Sequence, residues 1–134
     1  MVTAVAAGQG IVSLVIDLGR THATNPLWPG HARFHVVWQT FALTLASVVE
    51  VAMIWWIAPG SRVLFYLATL FTALPIGGFL IATFGRALYG GTLHDPNGIH
   101  PARIRWGGRI HQVDINLVLV GVGAIVLVIA AAIF

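Results

Sequence analysis

The amino-acid sequence predicts an all-α integral membrane protein: a four-transmembrane-helix bundle with a His/Arg-rich cytoplasmic loop between helices 3 and 4. Three observations predict this class. Of 134 residues, 58% are hydrophobic and 8% are charged, against about 25% charged in a soluble domain. Mean hydropathy is +0.91. The apolar residues also gather into four blocks, three of them reaching the roughly 20 residues that a helix needs to cross a bilayer. The chain reads as a single polytopic domain, 1–134, with spans at about 2–18, 36–57, 63–84 and 113–134.

The first block, Val2–Leu18, is the weakest, because Gly8, Gln9, Gly10 and Asp17 interrupt it. A cleaved signal peptide carries positive charge ahead of its apolar stretch. Here no basic residue precedes Arg20, so the block reads as a short span. The second, Val36–Ile57, holds Glu50 as its one charge, and the third, Val63–Phe84, holds none. Pro75, Gly77 and Gly78 mark a packing notch or loosened turn in the third, since proline removes one helical hydrogen bond. The fourth, Val113–Phe134, opens on Asp114 and Asn116. Gly121 and Gly123 within it allow a second helix, or a second copy of the chain in a homo-oligomer, to approach closely.

Four spans place the loops Gly19–Phe34 and Gly85–Gln112 on one side and Ala58–Arg62 on the other. All seven basic residues are arginine, and only Arg62 lies in the short loop. The positive-inside rule then sets the two long loops in the cytoplasm and both termini outside. Trp28, Trp38 and Trp106 fall at one interface and Trp55 and Trp56 at the other, as an aromatic belt requires. A net charge of +3 is thereby a topology signal, and no nucleic-acid partner is expected. The absence of cysteine excludes disulfides, thiolate metal sites and cysteine nucleophiles.

All six histidines, His22, His31, His35, His94, His100 and His111, lie in or beside the two long loops. The segment Asn25-Pro-Leu-Trp-Pro-Gly-His31-Ala-Arg-Phe-His35 leads into a helix that begins near His31. His31 and His35 are four apart and share a face, with Gln39 continuing the stripe. Paired imidazoles at that spacing can bind one metal ion. His111-Gln-Val-Asp114 is read as the start of the fourth helix, with the carboxylate on the face of the histidine as ligand or as partner of the imidazole N–H. An acid there also suits the helix dipole. Asp17 and His22 stand at the cytoplasmic end of the first span, and Asp-Pro and Asn-Gly fold His94 and His100 back on a turn. Pro101–Gln112 is expected to lie along the headgroups, with Ile104, Trp106 and Ile110 facing down and the arginines in water.

Glu50 lies fifteen residues from His35, roughly 22 Å along a helix at 1.5 Å per residue, which is too deep to share ligands with it. Its expected partner is a polar side chain of another helix: Gln9, Ser13 or Thr72. It would otherwise line a substrate cavity or proton path.

The chain has no Gly-x-Ser-x-Gly elbow, phosphate loop or Schiff-base lysine. With so little polypeptide outside the spans, its natural substrate is a molecule dissolved in the bilayer: terpenoid, quinone, sterol-like or fatty. The sequence therefore leans toward a small membrane enzyme, an oxidoreductase, hydrolase or isomerase, with a metal site on the cytoplasmic face. His31, His35, His111, Asp114 and Glu50 are its candidate catalytic residues, and His31, His35, His111, His22, His94 and His100 its candidate ligands. Imidazole and carboxylate suit Fe or Zn, and less well Mn; no haem pair is evident beyond His35 with His111. Two alternatives stand beside it. One is a metal-free isomerase or cyclase using His and Asp as acid and base. The other is a non-catalytic membrane subunit or lipid-binding module.

Overall fold

A computed structural model describes all residues 1–134. Four helices and one small hairpin account for the chain: α1 (Val2–Asp17), α2 (Gly30–Ala52), α3 (Arg62–Gly85), β1 (Ala102–Trp106), β2 (Arg109–Val113) and α4 (Ile115–Ile133). A π-helical turn, Met53–Ile57, extends α2, and a 3₁₀ turn, Arg86–Leu88, ends α3. With those extensions α2 and α3 are long and apolar enough to cross a membrane, as is α4. At 16 residues α1 spans about 24 Å, short of a ~30 Å hydrocarbon core. The four helical blocks of the sequence thus each form a helix, within a few residues of the expected bounds.

Local chemistry explains the ends. Pro29 stands at the N-cap of α2, where its fixed φ feeds the helix and its missing N–H is not needed. Ser61 caps α3 by accepting from the Leu64 amide, and Asp114 caps α4 by accepting from the Leu117 amide. Pro75 sits inside α3, and the helix runs through it without a break.

Two packing features position the rest. Near the short loop, Val2 of α1, Ile76 of α3 and Leu127 and Ala130 of α4 make the apolar core. There Trp55 Nε1 donates to Thr3 Oγ1 at 3.0 Å, tying the π turn to the start of α1. Midway, α1 lies hard against α2. A Cβ on Gly10 would come within 3.0 Å of both Ser47 Cβ and Ser47 Oγ, so glycine is what permits this approach. Thr44 Oγ1 donates to the Gly10 carbonyl at 3.4 Å.

The distribution of polarity is inverted. The largest fully buried side chains are Glu50, Thr40 and Thr72, and half of the fourteen buried residues are polar or charged. Exposed positions include Ile11, Val15, Leu45, Val48, Leu70, Ile81, Ile125 and Val128. Such a surface is unfavourable in water and ordinary against hydrocarbon.

The segment expected along the headgroups forms a β-hairpin. Gly107 and Gly108 have φ of +58° and +76°, the two-residue turn that Gly-Gly favours between strands. Ile104 pairs with His111, Arg105 with Ile110 and Trp106 with Arg109. Paired residues share a face, so Ile104 and Trp106 lie on one side with Arg109 and His111. Ile110 lies on the other with Arg103, Arg105 and Gln112. The expected single apolar face of Ile104, Trp106 and Ile110 does not form.

Substituting Gly10→Leu should destabilise the protein by about 1–3 kcal/mol through overpacking against Ser47, read as a lowered thermal midpoint in detergent. Gly8→Leu, with open space where its side chain begins, should leave that midpoint nearly unchanged.

Candidate functional site

From the contact at Gly10, α1 and α2 part toward the long-loop end, and a cavity of about 310 Å³ opens between them. Ser13 and Asp17 of α1, Val36, Gln39, Thr40 and Leu43 of α2 and His22 of the first loop line it. At that size it has room for several waters or one small polar head. Thr40 is 2% exposed, and its hydroxyl has no hydrogen-bond partner within the chain.

The first loop is built to bring His22 over this cleft. Its backbone coils tightly after α1: the Ala23 amide donates to Asp17 O at 2.9 Å, His22 to Gly19 O at 3.2 Å and Asn25 to His22 O at 3.0 Å. Asn25 is buried, and its Oδ1 accepts from the Leu27 amide at 3.0 Å, an Asx turn that redirects the chain toward Pro29. The His22 ring is held edge-on against Trp28 at 5.3 Å, with Nδ1 2.9 Å from Thr21 Oγ1. That contact leaves Nε2 as the nitrogen open to a ligand. A second cavity, about 280 Å³, is also lined by His22, together with Thr21, Trp28, the 92–99 turn and Asn116. His94 and Asp95 line it. His22 is therefore the one titratable side chain common to both cavities.

The other expected site residues are dispersed. His31 and His35 do meet, Nε2 to Nε2 at 3.0 Å. His111, expected on a helical turn with Asp114, is an exposed residue of β2 opposite Ile104. Asp114 is the α4 cap, its carboxylate turned to the Leu117 amide. The two share no helical face, because the helix starts after them. His100 is an exposed loop residue. No three His, Cys, Asp or Glu side chains group in a way that could hold a metal ion, so His31, His35 and His111 do not converge.

Glu50 lies away from the cleft. It is 2% exposed, and Thr72 Oγ1 sits 2.7 Å from its Oε2 and 2.8 Å from Ala68 O. Gln9 Nε2 donates to Thr72 O at 3.1 Å. Of the three expected partners, Thr72 bonds the acid, Gln9 bonds Thr72, and Ser13 faces the cleft instead. This network joins α1, α2 and α3 and reads as structural glue.

Comparison of the chain with protein families, with characterised proteins and with solved structures finds no match.

Thr72→Val should cost about 1–3 kcal/mol by leaving a buried acid without its partner. Glu50→Leu/Thr72→Val should recover much of that loss. A double-mutant cycle on thermal unfolding measures the coupling.

Proposed function

We propose that the chain is a four-span membrane enzyme that holds the polar head of a lipophilic molecule in the cleft beside His22 and moves a proton on it. The lining of that cleft supports the reading: five of its seven residues are polar or charged, in a pair of helices whose outer faces are apolar. A head that enters there keeps its tail outside, along α1 and α2 in lipid. Terpenoid, quinone, sterol-like and fatty compounds all have this form. The topology that goes with it places both termini outside, with the long loops and the cleft on the cytoplasmic side, as the arginine distribution favours.

The residues divide the work by chemistry. Ser13, Gln39 and the unpartnered Thr40 hydroxyl supply hydrogen bonds to the head. When His22 Nδ1–H donates to Thr21 Oγ1, Nε2 presents a lone pair to the cleft and can act as general base. Asp17 stands in the same lining. The proton leaves one carbon of the substrate, the double bond shifts, and the proton returns at another carbon. Substrate and product are isomers, so no oxidant is consumed. His22 carries this role because it alone reaches both cavities.

The test uses protein purified in mild detergent. Native mass spectrometry should show a retained lipophilic molecule, and Ser13→Ala/Thr40→Val should lose it. In D₂O the wild type should exchange deuterium into that molecule, and His22→Gln should slow the exchange by about 10²–10⁴-fold, the usual worth of a general base. Retention without exchange would make the chain a lipid-binding module. Retention indifferent to the Ser13 and Thr40 changes would place the molecule elsewhere.

A further inference from the structure

In the first two turns of α2, on the stripe that continues to Gln39, two imidazoles stand in unusual register. His31 and His35 bring their Nε2 atoms to 3.0 Å, with ring centroids 4.5 Å apart and planes at 88°. His35 is further held by Phe34 and Trp38, at 5.9 and 5.8 Å between centroids, so the pair does not depend on the mutual contact alone. Two nitrogens this close serve either one N–H···N hydrogen bond or one shared ion.

We infer that His31 and His35 are a two-histidine site for a first-row divalent metal ion, Cu(II) or Ni(II) in preference to Zn(II). The preference follows from the spacing. With metal–nitrogen bonds of about 2.0–2.1 Å, a 3.0 Å separation subtends an angle of about 90° at the metal. That is the angle between neighbouring positions of a square-planar, tetragonal or octahedral ion, whereas a tetrahedral zinc site needs its nitrogens farther apart. Square and tetragonal nitrogen sites are the habit of Cu(II) and Ni(II). Spacing of four residues on a regular helix makes the chelate, because residues i and i+4 stand one above the other.

The site is separate from the proposed proton-transfer centre. His31 is exposed, so water fills the remaining coordination positions and the ion exchanges with solution. Gln39, one turn further along the same stripe, lines the cleft. An ion at His31 and His35 therefore lies on the helical stripe that leads to the mouth of the cleft, where its charge would attract an anionic head.

Full-length protein, stripped with chelator in detergent, is titrated with Cu(II), Ni(II) or Zn(II) by calorimetry. One Cu(II) should bind per chain, tighter than Zn(II), and its paramagnetic resonance spectrum should show two nitrogen donors. His31→Ala and His35→Ala should each weaken Cu(II) roughly tenfold or more, while His111→Ala should not. Circular dichroism of each variant confirms that α2 is still formed, so a loss reads on the site itself. Equal binding by wild type and His31→Ala/His35→Ala would overturn the assignment. So would a loss that follows His22, His94, His100 or His111 instead.

Discussion

The close approach of α1 to α2 at Gly10 is the constraint from which the architecture follows. Ser47 and Thr44 occupy the space a side chain at position 10 would need, and that contact fixes the depth at which the two helices touch. Below it, α1 carries Val2 into the apolar core with Ile76, Leu127 and Ala130. Above it, the helices part and Ser13, Asp17, Gln39 and Thr40 face one another around open space. One close contact thus divides the molecule into a packed end and an open polar end. The first loop then needs only to coil back, through Gly19 and Asn25, to set His22 across the opening.

Burial of polar groups has a different meaning in each half. In the middle of the bundle, Thr72 bonds Glu50 through its hydroxyl and Gln9 through its carbonyl, tying three helices together, which suits a setting where lipid offers no hydrogen bonds and apolar contact alone gives little preference for one neighbour. At the open end, the Thr40 hydroxyl has no such partner. Polar groups that bond across helices hold the bundle together, and the Thr40 hydroxyl, in the cleft lining, is free to bond a ligand.

The helices were legible because their signal is long and simple. Blocks of apolar residues near bilayer length admit few alternatives, and Pro29, Ser61 and Asp114 mark starts that sequence chemistry explains. The pairing of His31 with His35 was equally legible, being a local consequence of helical period, and so was the kind of partner Glu50 takes. The hairpin was missed although its signal is present: Gly107-Gly108 separates two short runs, Ala102–Trp106 and Arg109–Val113, in which polar and apolar residues nearly alternate. Reading that segment as a surface-lying stretch moved Ile110 to the wrong face and gave His111 a helical neighbour in Asp114. His22 was legible as a candidate ligand, but its place in the lining of two cavities was not. It depends on how far α1 and α2 diverge and on where the 92–99 turn folds, both set by contacts distant in sequence, and an isolated histidine in a loop carries no pattern of its own.

The polar cleft opens at the long-loop end of α1 and α2 and closes at Gly10. The chain contains no cysteine, so single-cysteine variants test it without background. Ser13→Cys, Gln39→Cys and Ser47→Cys proteins, reconstituted in lipid vesicles, are treated with a water-soluble maleimide. Labelling at positions 13 and 39, from the side that also labels a cysteine placed at Asn97, with none at position 47, is the predicted result. Equal labelling at all three depths, or protection of position 13 equal to that of 47, would contradict it.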